Sequence, residues 1–287
     1  IGEKINSKYN INEIENLIKN SKITQAYNDF KLYLKGISGF EPVIKFKIFD
    51  KLLNKDSNIQ LIPLTKIRNT NTITILISGF LSQEDSIYRW DNFFNCYIDN
   101  SNYYFFYWPS SSVFRLFFEN LDIFNNCEQK AKYAGKILAL FLACNDKFND
   151  YQINLVGFSL GCHVVKFCLK ELEKIKGHRD MINNVLFLGG ATVIRSNRYS
   201  IWRNIFRNNV GGRIINCYSY HDQVLNILYT SFTSRDPIGL SKINIKDENE
   251  EYCLVDNYDL SYMELGHLDY RAKFEIILKK INFFNSS

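Results

Sequence analysis

The stretch Gly157-Phe158-Ser159-Leu160-Gly161 limits what this chain can fold into more than any other. An apolar run, Tyr151-Gln-Ile-Asn-Leu-Val156, precedes it and predicts a buried strand over 153–156. Residues 162–176 follow with their apolar side chains at helical spacing. A serine between a strand and a helix, with glycine two residues away on each side, has a physical meaning. The sharp turn strains the serine backbone, and small neighbours let the chain double back while the hydroxyl projects.

The rest of the chain alternates in the same way. Apolar runs predict buried strands over 72–78, 103–108, 183–188 and 213–219. Period-two patterns at 43–49 and 58–63 predict two early antiparallel edge strands. Residues 254–259 read as an extra strand. Helical stripes cover 128–144 (Ala131, Ala134, Ile137, Leu138, Phe141) and 268–281. Strands alternating with helices, several of them continuously apolar, imply an α/β fold. Its central sheet is mainly parallel, with helices on both faces. A strand, a serine turn and a helix in that setting predict the α/β-hydrolase fold. We expect that domain over 41–287, with 191–212 forming a lid or crossover helix. Residues 1–40 would add a helical extension packed on the core.

Composition narrows the function. Of 287 residues only 4 are Pro, and no linker or repeat interrupts the chain. The net charge of +5 is modest, and no basic motif interleaved with aromatics argues for nucleic acid. The 7 Cys are odd in number and scattered, many in apolar runs (Cys144, Cys168, Cys217), which reads as reduced, buried thiols. The four His are not matched with Cys or carboxylates at metal-ligand spacing, so no metal and no cofactor is expected. The longest clean apolar stretch, 137–144, is too short to cross a bilayer. The chain opens on Ile1 rather than Met, which reads as a processed chain or a piece of a longer one, such as an effector or toxin domain.

A serine hydroxyl is a poor nucleophile at neutral pH and needs a base, which in turn needs an orienting acid. In this fold they follow the serine in the order acid, then histidine. His163 and His178 come too early, and His221 sits beside the expected acid. His267, in the loop Glu264-Leu-Gly-His-Leu-Asp269 before the last helix, is the choice of base. Asp222, just after the strand at 213–219, is the choice of acid, with Asp256 and Asp236 as rivals. Asp259 reads instead as a residue that caps or orients the His267 loop. The developing oxyanion needs two backbone N–H groups. Leu160 supplies one; Phe80, with Leu81 second, supplies the other from the loop after the strand at 72–78. His163, one helical turn beyond Ser159, reads as a core histidine.

One segment suggests a surface role. Residues 193–212 carry Arg195, Arg198, Arg203 and Arg207, with Arg213 just beyond and no acid, interleaved with Ile201, Trp202, Ile205 and Phe206. Two readings fit. It is a basic amphipathic helix giving peripheral contact with an anionic membrane or lidding the pocket, or an ordinary crossover helix with its Trp side inward.

Several stretches together resemble the DUF726 family. They are Leu76-Ile-Ser-Gly-Phe-Leu-Ser82 with Trp90, Tyr107-Trp-Pro-Ser110, the serine turn itself, Asn216-Cys-Tyr-Ser-Tyr-His-Asp222 and Gly266-His-Leu-Asp-Tyr-Arg271. The similarity runs in order over about 72–281 and includes the transmembrane and coiled-coil domain 4 proteins. It implies α/β-hydrolases with Ser159, Asp222 and His267 as the triad, and 202–212 as a usual family element. Members carry hydrophobic membrane-associating segments that are not seen in this sequence, and 1–70 match nothing in the family.

The expected activity is therefore serine ester hydrolysis through an acyl-enzyme. A lipid or other acyl ester is favoured because Phe80, Trp90, Trp108, Phe114, Phe117 and Phe118 can line an apolar pocket. The alternatives are a non-catalytic binding module and a peptidase or thioesterase with the same residues. The expected location is cytoplasmic or the cytosolic face of a membrane.

Overall fold

The computed structural model describes residues 44–45, 59–64, 70–79, 101–108, 121–144, 148, 150–175, 181–247, 249 and 251–284. The extension expected over 1–40, Phe80, Leu81, Trp90 and the aromatics at 114–118 lie outside the described residues. So does His178.

Among the described residues eight strands make one sheet: β1 (Ile44–Lys45), β2 (Gln60–Pro63), β3 (Thr72–Ile77), β4 (Asn102–Tyr107), β5 (Gln152–Phe158), β6 (Ile182–Leu188), β7 (Ile214–Tyr218) and β8 (Asp256–Asp259). Their order is β1-β2-β4-β3-β5-β6-β7-β8. Strand β2 runs antiparallel to both neighbours, and every other adjacent pair is parallel. This order, with antiparallel β2 and a serine turn after β5, is the α/β-hydrolase fold. The extra strand expected near 254–259 is β8, at the far edge beside β7.

Helices cover both faces. α1 (Leu121–Cys144) and α2 (Gly161–Leu172) pack together on one face. α3 (Tyr199–Asn209) joins them as the crossover from β6 to β7. Alternate strand residues, Ile73, Ile75, Ile153, Leu155, Val185 and Phe187, meet these helices in a single core. The other alternate set, including Leu76, Phe105, Val156, Leu186 and Ile215, packs under α5 (Asp269–Ala272) and α6 (Phe274–Ile281). Between β7 and β8 a π-helical turn (Val224–Tyr229) runs into the short α4 (Thr230–Thr233). The buried side chains of α6 alone, Phe274, Ile277, Leu278 and Ile281, contribute about 2 kcal/mol each. Near-continuous apolar strands therefore follow from a sheet with no wet face.

Several elements differ from the expected bounds, among them α2, which ends at Leu172 rather than 176. α1 starts at Leu121 rather than 128. Asn125 and Asn126 are weak helix formers but stand on its exposed side, while Phe124 and Cys127 continue the buried stripe. Strand β5 extends to Phe158 and so delivers the chain directly to Ser159. The closing helix breaks at Lys273, whose φ of −102° and ψ of 14° interrupt the turn between α5 and α6. In α3 the side bearing Trp202, Ile205 and Phe206 is buried, while Arg207, and Arg198 just before the helix, are exposed. The apolar side of that helix is thus spent in the core.

Candidate active site

Ser159 sits between β5 and α2 with a φ of 55°, in the left-handed region that L-residues avoid. The turn is pinned on both sides. The Ser159 N–H donates to the Leu188 carbonyl at 3.0 Å, and its own carbonyl accepts from Ala191 at 3.0 Å and Cys162 at 3.1 Å. Gly161 permits the tight entry into α2, since a Cβ there would lie 2.0 Å from the Ile77 carbonyl oxygen.

Strand β7 ends at Tyr218, and the turn beyond it presents Asp222. The loop Glu264-Leu-Gly-His267 precedes α5. Its Gly266 N–H donates to Asp269 Oδ2 at 2.8 Å, which closes the turn that carries His267. The Ser159 Oγ and His267 Nε2 are 2.7 Å apart. His267 Nδ1 lies 2.7 Å from Asp222 Oδ2. Asp222 Oδ1 accepts a further bond from the Leu225 N–H at 3.1 Å, so the π turn fixes the carboxylate. One tautomer satisfies both histidine contacts: Nδ1–H donates to the carboxylate, and the serine hydroxyl donates to Nε2. All three side chains are buried, Asp222 completely. The Phe158 ring lies 5.3 Å from the His267 ring and backs it. Such an arrangement can move a proton off the serine as its oxygen attacks, with the carboxylate steadying the imidazolium.

The rival acids lie elsewhere. Asp256 opens β8, at the sheet edge away from Ser159, and its Oδ2 takes the Arg213 Nε–H at 2.8 Å. Asp236 is exposed. Asp259 accepts from the Ser261 N–H at 2.9 Å and shapes the turn Ser261–Met263. His163 is buried with Nδ1 2.9 Å from Thr192 Oγ1, and burial holds its ring well below the ordinary histidine pKa. His221 is exposed, its ring 4.3 Å from that of Tyr220.

The Leu160 backbone nitrogen closely approaches Gly79. A Cβ on Gly79 would lie 2.8 Å from that nitrogen and 3.0 Å from Ser159 Oγ. The exit of β3 and the start of α2 thus meet over the serine hydroxyl. Trp108, expected to line an acyl pocket, is instead in the core, and its Nε1–H donates to the Ser78 carbonyl at 2.9 Å. A cavity of about 520 Å³ opens beside the histidine, lined by His221, Gln223, Val224, Glu264, Gly266 and His267. Sequence reasoning missed Gln223, Val224 and Glu264 as lining residues; Glu264 has a φ of 49° that no side-chain pattern announces.

Four described cysteines, Cys127, Cys162, Cys168 and Cys217, are buried and form no disulfide, and burial raises the last three far above the usual range. Among the described residues no three His, Cys, Asp or Glu side chains gather to hold a metal ion. No helix among them is long and apolar enough to cross a membrane.

A family model described as a protein of unknown function, DUF726, matches residues 106–284, more than half of the chain. The chain belongs to the DUF726 family. A probable lipase of Saccharomyces cerevisiae, MIL1, is 34% identical over 154 residues, covering 53% of this chain and 13% of that protein. An uncharacterised membrane protein of Schizosaccharomyces pombe is 31% identical over 163 residues, covering 55% of this chain and 19% of its own length. The DUF726 chain in hand thus spans under a fifth of each. Among solved structures, a predicted hydrolase from Thermoplasma acidophilum covers 80% of this chain and 94% of its own at 13% identity, with a TM-score of 0.43. At that distance the fold rests on strand order and the serine turn, not on the likeness.

Proposed function

We propose that this DUF726 chain is a serine hydrolase that cleaves a carboxylic ester, with a lipid or other acyl ester as substrate. The observation that carries the reading is the unbroken series Ser159–His267–Asp222, two 2.7 Å contacts on the left-handed serine turn. The probable-lipase name of one relative adds support. Ser159 Oγ attacks the ester carbonyl as His267 Nε2 accepts its proton. Asp222 holds His267 in the required tautomer and offsets the imidazolium charge. The Leu160 N–H, aided by Phe80, stabilises the oxyanion. Collapse of the tetrahedral intermediate breaks the bond to the leaving alcohol, which takes the proton from His267. Water, deprotonated by the same histidine, then releases the acid and restores Ser159.

The test is labelling by a fluorophosphonate together with hydrolysis of p-nitrophenyl esters of rising chain length. The native protein should label, and Ser159→Ala should not. His267→Ala and Asp222→Asn should each lower kcat/KM on the order of ten-thousandfold. Equal labelling of the native protein and Ser159→Ala would defeat the reading in favour of a binding module. Faster turnover of peptides or thioesters than of any ester would move it to those acyl donors.

A further inference from the structure

Parallel strands end on one edge of the sheet, and that edge collects more than the three site residues. Ser159 follows β5, residues 189–198 follow β6, Tyr220 to Asp222 follow β7, and Ser261 to His267 follow β8.

Exposed apolar side chains gather there. Tyr220, Ile227, Tyr262 and Leu268 are 58%, 60%, 63% and 43% exposed. The Tyr220 N–H donates to Ser261 Oγ at 3.1 Å, which brings it beside Tyr262. Ile227 rides on the π turn whose Leu225 N–H holds Asp222. Leu268 directly follows His267. The four therefore flank the cavity beside His267 on several sides. Apolar surface concentrated around one mouth marks a contact surface, whereas scattered exposed side chains do not. Tyrosine in particular suits a boundary between water and hydrocarbon.

Cations border the same edge. Lys166 Nζ donates to the Val193 carbonyl at 2.7 Å and to Thr192 Oγ1 at 3.3 Å, in the loop leaving β6. Arg195 stands exposed two residues further on. Arg235, also exposed, adjoins this loop, because the Ile238 N–H donates to the Thr192 carbonyl at 2.8 Å. Lys132, Lys166 and Lys170 place their ammonium groups 5.7, 5.4 and 5.8 Å from the one Phe167 ring. Glu128 and Glu171 are the carboxylates facing this group, Glu171 beside Lys170, and Glu128 Oε1 accepts from the Tyr229 hydroxyl at 3.0 Å. Among the described residues none of these five cations forms an ion pair. Burial, and then the neighbouring Lys170, Arg195 and Arg235, bring Lys166 down to about 8 against the pull of Glu128. Positive charge is crowded here beyond what the fold neutralises.

We propose that this edge docks on an anionic lipid bilayer, with Tyr220, Ile227, Tyr262 and Leu268 entering the headgroup region and Lys132, Lys170, Arg195 and Arg235 meeting its phosphates and carboxylates. The charge selects the occupant: on the flank beside the loop leaving β6, five cations face Glu128, Glu171 and Asp236, and this net positive flank next to an apolar rim complements a negatively charged surface that is apolar beneath. In this pose a lipid ester passes from the bilayer into the cavity without crossing water. That passage rests on the hydrolase reading; the docking does not.

Flotation of the full chain with phosphatidylcholine vesicles, with and without phosphatidylserine, tests it. Binding should require phosphatidylserine and weaken as salt rises. Lys170→Glu, Arg195→Glu and Arg235→Glu together should lower vesicle affinity at least about a hundredfold, since each basic group near such a surface is worth ~1 kcal/mol. Ile227→Ser with Tyr262→Ser should lower it about tenfold or more. Both sets should leave turnover of a short soluble p-nitrophenyl ester within about twofold, which shows that they fold. Ser159→Ala should float like the native chain. Charge-independent flotation, no flotation, or an unaffected triple variant overturns the proposal. So does binding to poly-glutamate but not to vesicles, which would assign the edge to an acidic protein. Vesicle binding by a chain that labels with no fluorophosphonate would keep the surface and remove the hydrolase.

Discussion

Ser159 carries a backbone strain of about 1–3 kcal/mol, held by three backbone hydrogen bonds to the strand and loop around it. That strain is why the site could be read from sequence at all. The turn leaves no room for side chains at its ends, so the constraint appears as glycine at 157 and 161. Asp222 and His267 were legible for a related reason, because each must leave the sheet at the edge where β5 ends. Backbone donors write nothing into the sequence. The Leu225 N–H that fixes Asp222 was not foreseen, and Phe80 rests on its place after β3 alone. Gly79 and Gly161 should separate site from scaffold. An alanine at 161 would meet the backbone of β3 at 2.0 Å, so Gly161→Ala should lower stability by about 3 kcal/mol or more in urea denaturation. At 79 the added methyl would meet the Leu160 nitrogen and the Ser159 hydroxyl. Gly79→Ala should therefore cost about a hundredfold or more in kcat/KM, while its urea midpoint falls less than that of Gly161→Ala. Equal activity in the native chain and Gly79→Ala would separate the β3 exit from the chemistry.

Among the elements, buried strands were the most legible, since a sheet covered on both faces leaves little choice but continuous apolar residues. Helix ends were not. The Asn125-Asn126 pair hid the first turns of α1, and nothing in Phe274 to Ile281 reveals the break at Lys273. The π turn was missed outright, because an extra residue per turn leaves no periodic mark. It carries Leu225, and its last residue, Tyr229, ties it to α1 through Glu128. Burial raises the Glu128 carboxyl and the Tyr229 hydroxyl alike, so each is a polar group that needs its partner. Tyr229→Phe should lower stability by about 1–3 kcal/mol by leaving Glu128 without its donor. Because the same turn steadies Asp222, kcat should also fall, with KM for a small ester little changed. A variant that loses stability with kcat intact would show that α1 braces the turn without reaching the acid.

For the whole molecule, both faces of the sheet are sealed by helices, so polar groups under them are cut off from water. His163 is the clearest case. It lies beneath the loop that follows β6, bonded to Thr192 and packed 4.9 Å from the Phe167 ring. Burial first, then Lys166 and Lys132, hold it well below the ordinary histidine value of 6.5. The folded chain therefore keeps this ring neutral, while the unfolded chain takes up a proton as pH falls below 6.5. Protons then favour the unfolded state. The stability tied to His163 is complete above that value and is lost on acidification, by at most about 1.4 kcal/mol per pH unit. Glu128 works in the opposite sense. Its raised carboxyl penalises folding as pH climbs past 4.5, so acidification relieves it. Lys166, brought down to about 8, is partly deprotonated at pH 7.5, and this contribution is common to both proteins being compared. Urea midpoints at pH 7.5 and 5.5 thus isolate the histidine when compared between the native chain and His163→Asn, which keeps a donor for Thr192 without the titration. The native chain should lose stability between the two, and His163→Asn should lose about 1 kcal/mol less. Equal losses would mean that the proton enters elsewhere and that the buried ring is not what makes this fold sensitive to acid.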